Sequence, residues 1–175
     1  MPQEVKIKMK NIYFFNTQIG AIGIAEEDNN ITNVFFETDF SMGDVSDKDK
    51  FLQQSGFYLK ETALLIEAAN QLDEYLKGKR MTFDLPLAPK GTDFMITVWE
   101  CLKGIPYGET RSYKHIAETA GSPKACRAVG MANNKNPIPI FIPCHRVVGA
   151  NGSLTGYRGG LEIKQKLLEI EKSKY

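Results

Sequence analysis

The chain has 175 residues, enough for one ordinary domain or two small ones, and its 42% hydrophobic and 25% charged residues are typical of a soluble globular protein. No run approaches the roughly 20 apolar residues that cross a bilayer, which argues against a membrane protein. The net charge of +1 divides unevenly, because residues 1–89 carry nine Lys and Arg against fourteen Asp and Glu, whereas residues 90–160 carry nine against four. A polyanionic partner is therefore expected to bind the second segment.

The cysteine and histidine content indicates the compartment and the metal content. Cys101, Cys126 and Cys144 lie far apart and are odd in number, which favours a reducing interior over a disulfide framework. The first 15 residues lack the pattern of a signal peptide, so we expect a cytoplasmic protein, or a nuclear one in a eukaryote. With two histidines and no CxxC, the chain has too few conventionally spaced ligands for a structural zinc. We expect neither a metal nor a cofactor.

The first third of the chain is rich in residues that favour β-strands. Short β-branched or aromatic runs predict strands at Asn11–Asn16, Ile19–Ala25 and Thr32–Glu37. The polar segment Glu26–Asn30 is typical of a hairpin turn between the last two. The acidic stretch Asp39–Lys50 is predicted to be a loop.

One helix and one further strand are predicted before a proline-rich boundary. Apolar residues recur at three- and four-residue steps from Gly56 to Lys77, and Gly78 suits the position just after a helix. Met81–Leu85 has a strand pattern, and Leu85–Gly91 (LPLAPKG) marks the best boundary. We therefore expect one domain at residues 1–88 and another at residues 89–175.

The second half is predicted to be mostly helical. Thr92 or Asp93 is placed to cap a helix that ends at Gly104, and Ser112 to cap another at Tyr113–Ala120. The turn 121–123 (GSP) offers Ser122 as a cap and Pro123 for the first helical position, so a third, small-residue-rich helix should run from residue 124 to about 133. The helix at Tyr113–Ala120 and the helix that follows it are expected to form either a DNA-binding helix-turn-helix or an ordinary helical hairpin.

The segment after these helices contains the most reactive residues. Alternating prolines predict an extended, poorly paired Asn136–Pro143, which leads directly into Cys144 and His145. A loop with five glycines follows at 149–160, and an amphipathic helix, Leu161–Glu171, comes last.

Cys144 is the candidate nucleophile. A buried cysteine is usually inert, and that interpretation suits Cys101 and Cys126. His145 next to Cys144 changes the expectation, since a thiol needs a base within reach to form the nucleophilic thiolate at neutral pH. An acidic residue on the last helix is then needed to orient the histidine.

The motif PCHRV at residues 143–147 resembles the active-site signature of the O6-alkylguanine-DNA alkyltransferases, also called methylated-DNA–protein-cysteine methyltransferases. The resemblance extends over about residues 91–171 without a gap and includes five further segments: IPYGETRSY (105–113), the turn GSP (121–123), ACRAVG (125–130), NPIP (136–139) and SLTGY with a double glycine (153–160). The N-terminal half resembles the family only in its layout.

The resemblance implies a role for each matching residue. Cys144 would accept the alkyl group, His145 would take its proton through a water, and Glu171 would hold His145. Asn136 would pin the active-site turn by backbone hydrogen bonds. The remaining residues would handle the DNA: Arg127 to enter the base stack, Tyr113 to crowd the 3′ phosphate, Val147 to read the exocyclic amine, and Tyr157, Arg158 and Gly159 to wall the pocket and donate to guanine O6.

The family also implies a fold and a partner. The fold would be α+β followed by α: a small ribonuclease H-like sheet-plus-helix domain, then a winged helix-turn-helix catalytic domain. The partner would be double-stranded DNA, bound as a monomer through the minor groove with the alkylated guanine flipped out.

Several departures and alternatives accompany this hypothesis. The zinc that some relatives carry has no Cys or His to bind it in residues 1–89, and the long Arg158 stands where a small residue is commoner. An alkyltransferase-like protein binds damaged DNA without reacting, but such proteins lack the acceptor cysteine. A Cys-His hydrolase or transferase acting on small molecules would turn over. From spacing alone, Tyr113 and Tyr157 fit core aromatics equally well, and Arg127 and Glu171 fit solvated charges.

Overall fold

Three consecutive antiparallel strands open the computed structural model, which describes residues 9–41 and 45–173, and only the backbone of 45 and 46. The strands are β1 (Lys10–Thr17), β2 (Gly20–Glu27) and β3 (Asn30–Phe36). A short β4 (Tyr58–Leu59) pairs in parallel with β1, so the sheet order is β3-β2-β1-β4. The three predicted strands are confirmed, whereas most of the segment on which the signal-peptide prediction rests lies outside the described residues.

The predicted polar turn is the tight hairpin between β2 and β3. Asp28 and Asn29 both adopt the left-handed region, with φ of 50° and 59°. Two such residues in succession match the right-handed twist of the flanking strands, and Asn and Asp tolerate this conformation better than most residues.

The loop predicted for residues 39–50 is wrong at both ends, where the chain is helical. A short α1 (Glu37–Phe40) is followed by α2 (Val45–Ser55), and residues 42–44 lie outside the described part of the chain. The acidic composition concealed the packing of Phe51, whose ring lies 5.0 Å from that of Phe35. Packing of the Phe51 ring against the sheet stabilises a helix that the local sequence pattern does not predict.

The long helix begins later than its periodicity predicts. α3 spans Ala63–Leu76, and the Thr62 hydroxyl caps it by accepting a hydrogen bond from Leu65 N at 3.2 Å. Tyr58 and Leu59, which the periodicity placed in the helix, form β4 and pair with β1 instead. Gly78 follows the helix with φ of 68°, as predicted.

No strand forms at Met81–Leu85, contrary to the prediction. The backbone of Asp84 is bound instead by the Gln71 side chain, which accepts from Asp84 N at 2.9 Å and donates to Asp84 O at 3.3 Å. The strand-like pairing lies further along the chain, at Pro86–Ala88. There Ile31 N on β3 donates to Pro86 O, and Ala88 N donates to Ile31 O. A side chain from α3 thus satisfies backbone groups that a sheet would otherwise pair.

The C-terminal half begins with three helices around a common core. α4 (Asp93–Lys103) is capped by Thr92, and a short β5 (Arg111–Ser112) leads into α5 (Tyr113–Thr119), capped by Ser112. Both predicted caps are therefore confirmed. The Trp99 indole on α4 donates to Ala132 O at 2.8 Å, which ties α4 to the third helix.

The third helix, α6 (Cys126–Asn134), begins two residues later than predicted and is not capped by Ser122. Ser122 O instead accepts from Ala125 N at 2.8 Å, so residues 122–125 form a turn. α5 and α6 pack against each other, as both a helix-turn-helix and an ordinary helical hairpin require.

Asn136–Pro143 is not extended throughout. Ile140 has φ of 75°, and Ile142 N donates to Ile138 O at 2.9 Å, so the chain turns tightly between its prolines. A single 3-10 turn, Cys144–Arg146, follows.

The last two elements complete the C-terminal half, which contacts the edge of the N-terminal sheet. β6 (Val147–Val148) pairs in parallel with β5, and α7 (Leu161–Lys172) closes the described residues, close to the predicted Leu161–Glu171. Val34 N on β3 donates to Pro137 O at 2.8 Å, so the edge of the sheet lies against the segment before Cys144. None of the helices in residues 9–41 and 45–173 is long and apolar enough to cross a membrane.

Candidate active site

Cys144 begins the 3-10 turn and is only 3% exposed. Its amide donates to Ile142 O at 2.8 Å, and its carbonyl accepts from the Asn133 side chain at 3.2 Å. Asn136 braces the preceding turn at both ends, donating to Ile142 O at 2.9 Å and accepting from Ile138 N at 3.0 Å. The backbone on both sides of the thiol is therefore fixed by buried amide side chains.

His145 is completely buried and contacts Glu171 on α7. Its Nε2 lies 2.8 Å from Glu171 Oε1, while its Nδ1 is buried without a hydrogen-bond partner among the described residues. Burial lowers the pKa of His145, although the hydrogen bond to Glu171 acts in the opposite direction. The imidazole is therefore held neutral, ready to accept a proton.

Glu171 is a fully buried anion surrounded by donors. Arg146 donates to it from Nε at 3.0 and 3.1 Å and from Nη2 at 3.0 Å, and Gly108 N donates at 3.0 Å. Burial alone would raise the pKa of this carboxyl, but the hydrogen bonds and charges of His145 and Arg146 lower it to about 2. Glu171 orients the histidine and stays ionised, so it does not itself take up a proton.

The surroundings of Cys144 have opposing effects on its ionisation. Burial raises the pKa of the thiol, while a hydrogen bond from Asn136 and the charges of Lys164 and Arg158 act to lower it. Lys164 is a buried cation on α7 whose ammonium donates to Val147 O at 2.7 Å and Thr155 O at 2.8 Å. The net effect is a raised pKa of the thiol, which therefore needs a base to form the reactive thiolate.

The predicted pocket residues surround the turn. Val147 is fully buried, and Tyr157 is 8% exposed with a hydroxyl that has no hydrogen-bond partner among the described residues. A Cβ at Gly159 would lie 2.9–3.0 Å from the Phe36 ring, so only glycine fits this close approach.

Arg158 turns toward the N-terminal half. Its guanidinium donates to Val34 O and lies 3.7 Å from Asp39 Oδ2 and 5.9 Å from the centre of the Phe36 ring. The side chain bridges the two halves of the chain.

Tyr113 and Arg127 share an exposed face. They line a shallow, mostly apolar depression of about 640 Å³ together with Met131 and Thr155. Tyr113 is half-buried and its hydroxyl accepts from Thr155 Oγ1 at 2.9 Å, whereas Arg127 is exposed on α6. Because Lys164 also binds Thr155 O, a chain of contacts links this face to the surroundings of Cys144.

Sequence reasoning missed four residues of the site: Tyr75, Asn133, Arg146 and Lys164. Lys164 and Glu171 share the buried face of α7 at a spacing of seven, a periodicity that points both inward. Arg146 stood inside the quoted motif without a role. Tyr75 lies 70 residues before His145 and carried no local signal.

Two family models match the chain. The model described as 6-O-methylguanine DNA methyltransferase, ribonuclease-like domain matches residues 11–89, and the one described as the DNA binding domain of the same protein matches residues 93–173. Together they span most of the chain, which therefore belongs to the 6-O-methylguanine DNA methyltransferase family.

Individual relatives agree with this assignment. The constitutive methylated-DNA–protein-cysteine methyltransferase of Bacillus subtilis is 51% identical over 91% of this chain and 93% of its own length. The methyltransferase of Methanosarcina acetivorans is 46% identical over 91% and 96%. Among solved structures, Mycobacterium tuberculosis OGT in complex with DNA superposes with a TM-score of 0.81 at 40% identity, covering 94% of each chain. The α+β fold with a helical C-terminal half is confirmed.

Proposed function

We propose that this protein repairs DNA by moving the alkyl group from O6 of guanine onto its own Cys144, once and irreversibly. The family membership and the relatives named methylated-DNA–protein-cysteine methyltransferase support the reaction. The single observation that carries the choice of residue is the buried Cys144 beside a His145 held by Glu171.

The chemistry is a direct displacement. His145 takes the thiol proton through a water molecule, and the thiolate of Cys144 attacks the alkyl carbon of the lesion. A sulfur–carbon bond forms as the bond from carbon to guanine O6 breaks, and the electron pair passes to the guanine. The guanine takes up one proton, which balances the one released by the thiol. The thioether is stable, so each molecule acts once.

The departing O6 needs a hydrogen-bond donor. The loop at Tyr157–Gly159 is proposed to supply it, and the backbone of Val147 to read the exocyclic amine. A fixed donor at the developing charge stabilises the transition state without a metal. The close packing of Gly159 on Phe36 supports this proposal, because it holds the loop in place.

DNA is proposed to approach the exposed face of α6 through the minor groove. Small residues allow close approach, and Arg127 would fill the gap left by the flipped guanine while Tyr113 crowds the phosphate. The excess of basic residues in 90–160 supports this choice of face.

We further propose two domains, 1–88 and 89–175, which the ranges of the two family models support, and a protein that acts as a monomer. Because the relatives above include bacterial and archaeal proteins, we propose a cytoplasmic location.

The proposal is tested by the stoichiometry of transfer. The protein is incubated with excess duplex carrying a labelled methyl at guanine O6, and the label on protein is counted. We expect one methyl per chain and no more with further DNA. Label released from the protein in many turnovers would indicate a hydrolase or a true transferase. Binding without any transfer would indicate a non-reacting damage sensor.

A further inference from the structure

Tyr75 reaches the catalytic pair from the other half of the chain. It lies on α3, is completely buried, and its hydroxyl oxygen lies 2.5 Å from Glu171 Oε1 and 3.1 Å from His145 Nε2. Its ring packs on Phe83 at 5.1 Å and edge-on to Tyr107 at 6.1 Å, so the hydroxyl has little freedom to move.

The hydrogen bonds define where each proton lies. Glu171 is ionised between Arg146 and His145 and can only accept, so the Tyr75 hydroxyl donates to it. The phenol keeps its proton, because burial and the charge of Glu171 raise the pKa of Tyr75 well above its ordinary value. Its remaining lone pairs are therefore acceptors.

His145 Nε2 consequently faces two acceptors, Glu171 Oε1 at 2.8 Å and the Tyr75 oxygen at 3.1 Å. A nitrogen between two acceptors carries the hydrogen, and in a neutral imidazole the other nitrogen is then the base. That other nitrogen is Nδ1, which is buried and unpartnered among the described residues.

We infer that Tyr75 is a positioning residue for alkyl transfer, which together with Glu171 holds the proton of His145 on Nε2 and so presents Nδ1 as the base for Cys144. The inference rests on the proposed transfer to Cys144. It gives the N-terminal half a part in the reaction, since α3 supplies one of the two groups that hold the histidine tautomer in the C-terminal half.

Removal of the Tyr75 hydroxyl has a defined direction of effect. Glu171 loses one donor, so its charge acts more strongly on the imidazolium form of His145, while Nε2 keeps its nearer acceptor, Glu171 Oε1 at 2.8 Å. The other charged or titratable groups around His145 are Arg146 beside it, Lys164 on α7 and the thiol of Cys144. With these unchanged, Tyr75→Phe should keep His145 protonated to higher pH, where it is unable to take the thiol proton.

The test is the single-turnover rate of methyl transfer from duplex DNA as a function of pH, for the wild type, Tyr75→Phe and Tyr107→Phe. Tyr107→Phe is the matched control, because the Tyr107 hydroxyl also contacts α7 but donates there to a backbone carbonyl, Ile170 O, at 3.3 Å. We expect Tyr75→Phe to be about tenfold slower at neutral pH, with its acidic limb moved to higher pH, yet still to transfer one methyl per chain. Tyr107→Phe should keep both the wild-type rate and the wild-type limb.

The outcomes separate the two proposals. A profile for Tyr75→Phe that matches the wild type overturns the positioning role while the transfer itself stands. Absence of transfer in the wild type overturns the proposed function. If Tyr75→Phe does not fold, nitrogen NMR of the wild type decides, with the exposed His115 as an internal reference. A neutral His145 with its hydrogen on Nε2 supports the inference, and a hydrogen on Nδ1 overturns it.

Discussion

Glu171 shows how much one residue contributes to this site. Its two oxygens accept from Tyr75, His145, Arg146 and Gly108, so helix α7, the 3-10 turn, helix α3 and the turn before β5 all meet at one carboxylate. A buried charge satisfied in this way holds its partners in one arrangement, and removal of any partner leaves unsatisfied polar groups.

This carboxylate predicts a loss of stability in acid. Its pKa is about 2 in the folded protein against an ordinary value of 4.5, so the folded state binds fewer protons between these values. The stabilisation is complete above about pH 4.5 and is lost as pH falls from there towards 2, and the shift corresponds to about 3 kcal/mol. Urea unfolding at a series of pH values measures it. Glu171→Gln no longer titrates and should lose less stability on acidification; equal losses in both proteins would contradict the assignment.

The residues of the site were predicted unevenly, for a physical reason. Cys144 and His145 lie together in the motif at 143–147, whose chemistry is visible in the sequence, and Asn136 begins the separate motif at 136–139. Tyr75 is an unremarkable aromatic on an amphipathic helix, and only the packing of α3 against the 3-10 turn brings it to His145. A contact across 70 residues leaves no local pattern to find.

At the scale of elements, helix α6 is the part of the protein that we propose contacts DNA. It exposes Arg127 beside a shallow apolar face, while Val129 and Ala132 anchor it in the core. A helix fixed on one side and open on the other is suited to insert a side chain into a base stack.

Arg127→Ala tests this role. Loss of the inserted side chain should slow methyl transfer from duplex DNA by about ten- to a hundredfold, since extrusion of a base costs a few kcal/mol. Reaction with free O6-benzylguanine needs no extrusion and should be unchanged. Single-turnover rates on both substrates measure the effect, and equal losses on the two would refute the role in flipping.

Elements were predicted well where local signals agreed and poorly where distant packing decided. The caps Thr92 and Ser112 lie where predicted, because a capping hydroxyl acts within three residues. Helix α2 was missed and Met81–Leu85 was wrongly predicted as a strand, because Phe51 and Gln71 act through contacts far along the chain.

At the scale of the whole molecule, the two halves are joined by specific contacts around the active site. Val34 bonds Pro137, Arg158 bonds Val34 and Asp39, and Gly159 packs on Phe36. The sheet therefore braces both the segment that precedes Cys144 and the loop that we propose lines the substrate pocket.

Gly159→Ala tests this brace. The added Cβ would lie within 3.0 Å of the Phe36 ring, and the resulting overpacking should destabilise the protein by about 1–3 kcal/mol. Gly156→Ala is the matched control in the same loop, because a Cβ there meets nothing within 4 Å. Thermal unfolding of both variants measures the difference, and equal melting temperatures would show that the loop does not depend on this contact.

The most direct test of the account is to find which cysteine carries the alkyl group. After reaction with duplex DNA containing O6-methylguanine, peptide mass spectrometry should place the methyl on Cys144 and leave Cys101 and Cys126 unmodified. Cys144→Ser should still bind the duplex but accept no methyl. A methyl on either of the other cysteines, or transfer that persists in Cys144→Ser, would contradict the account.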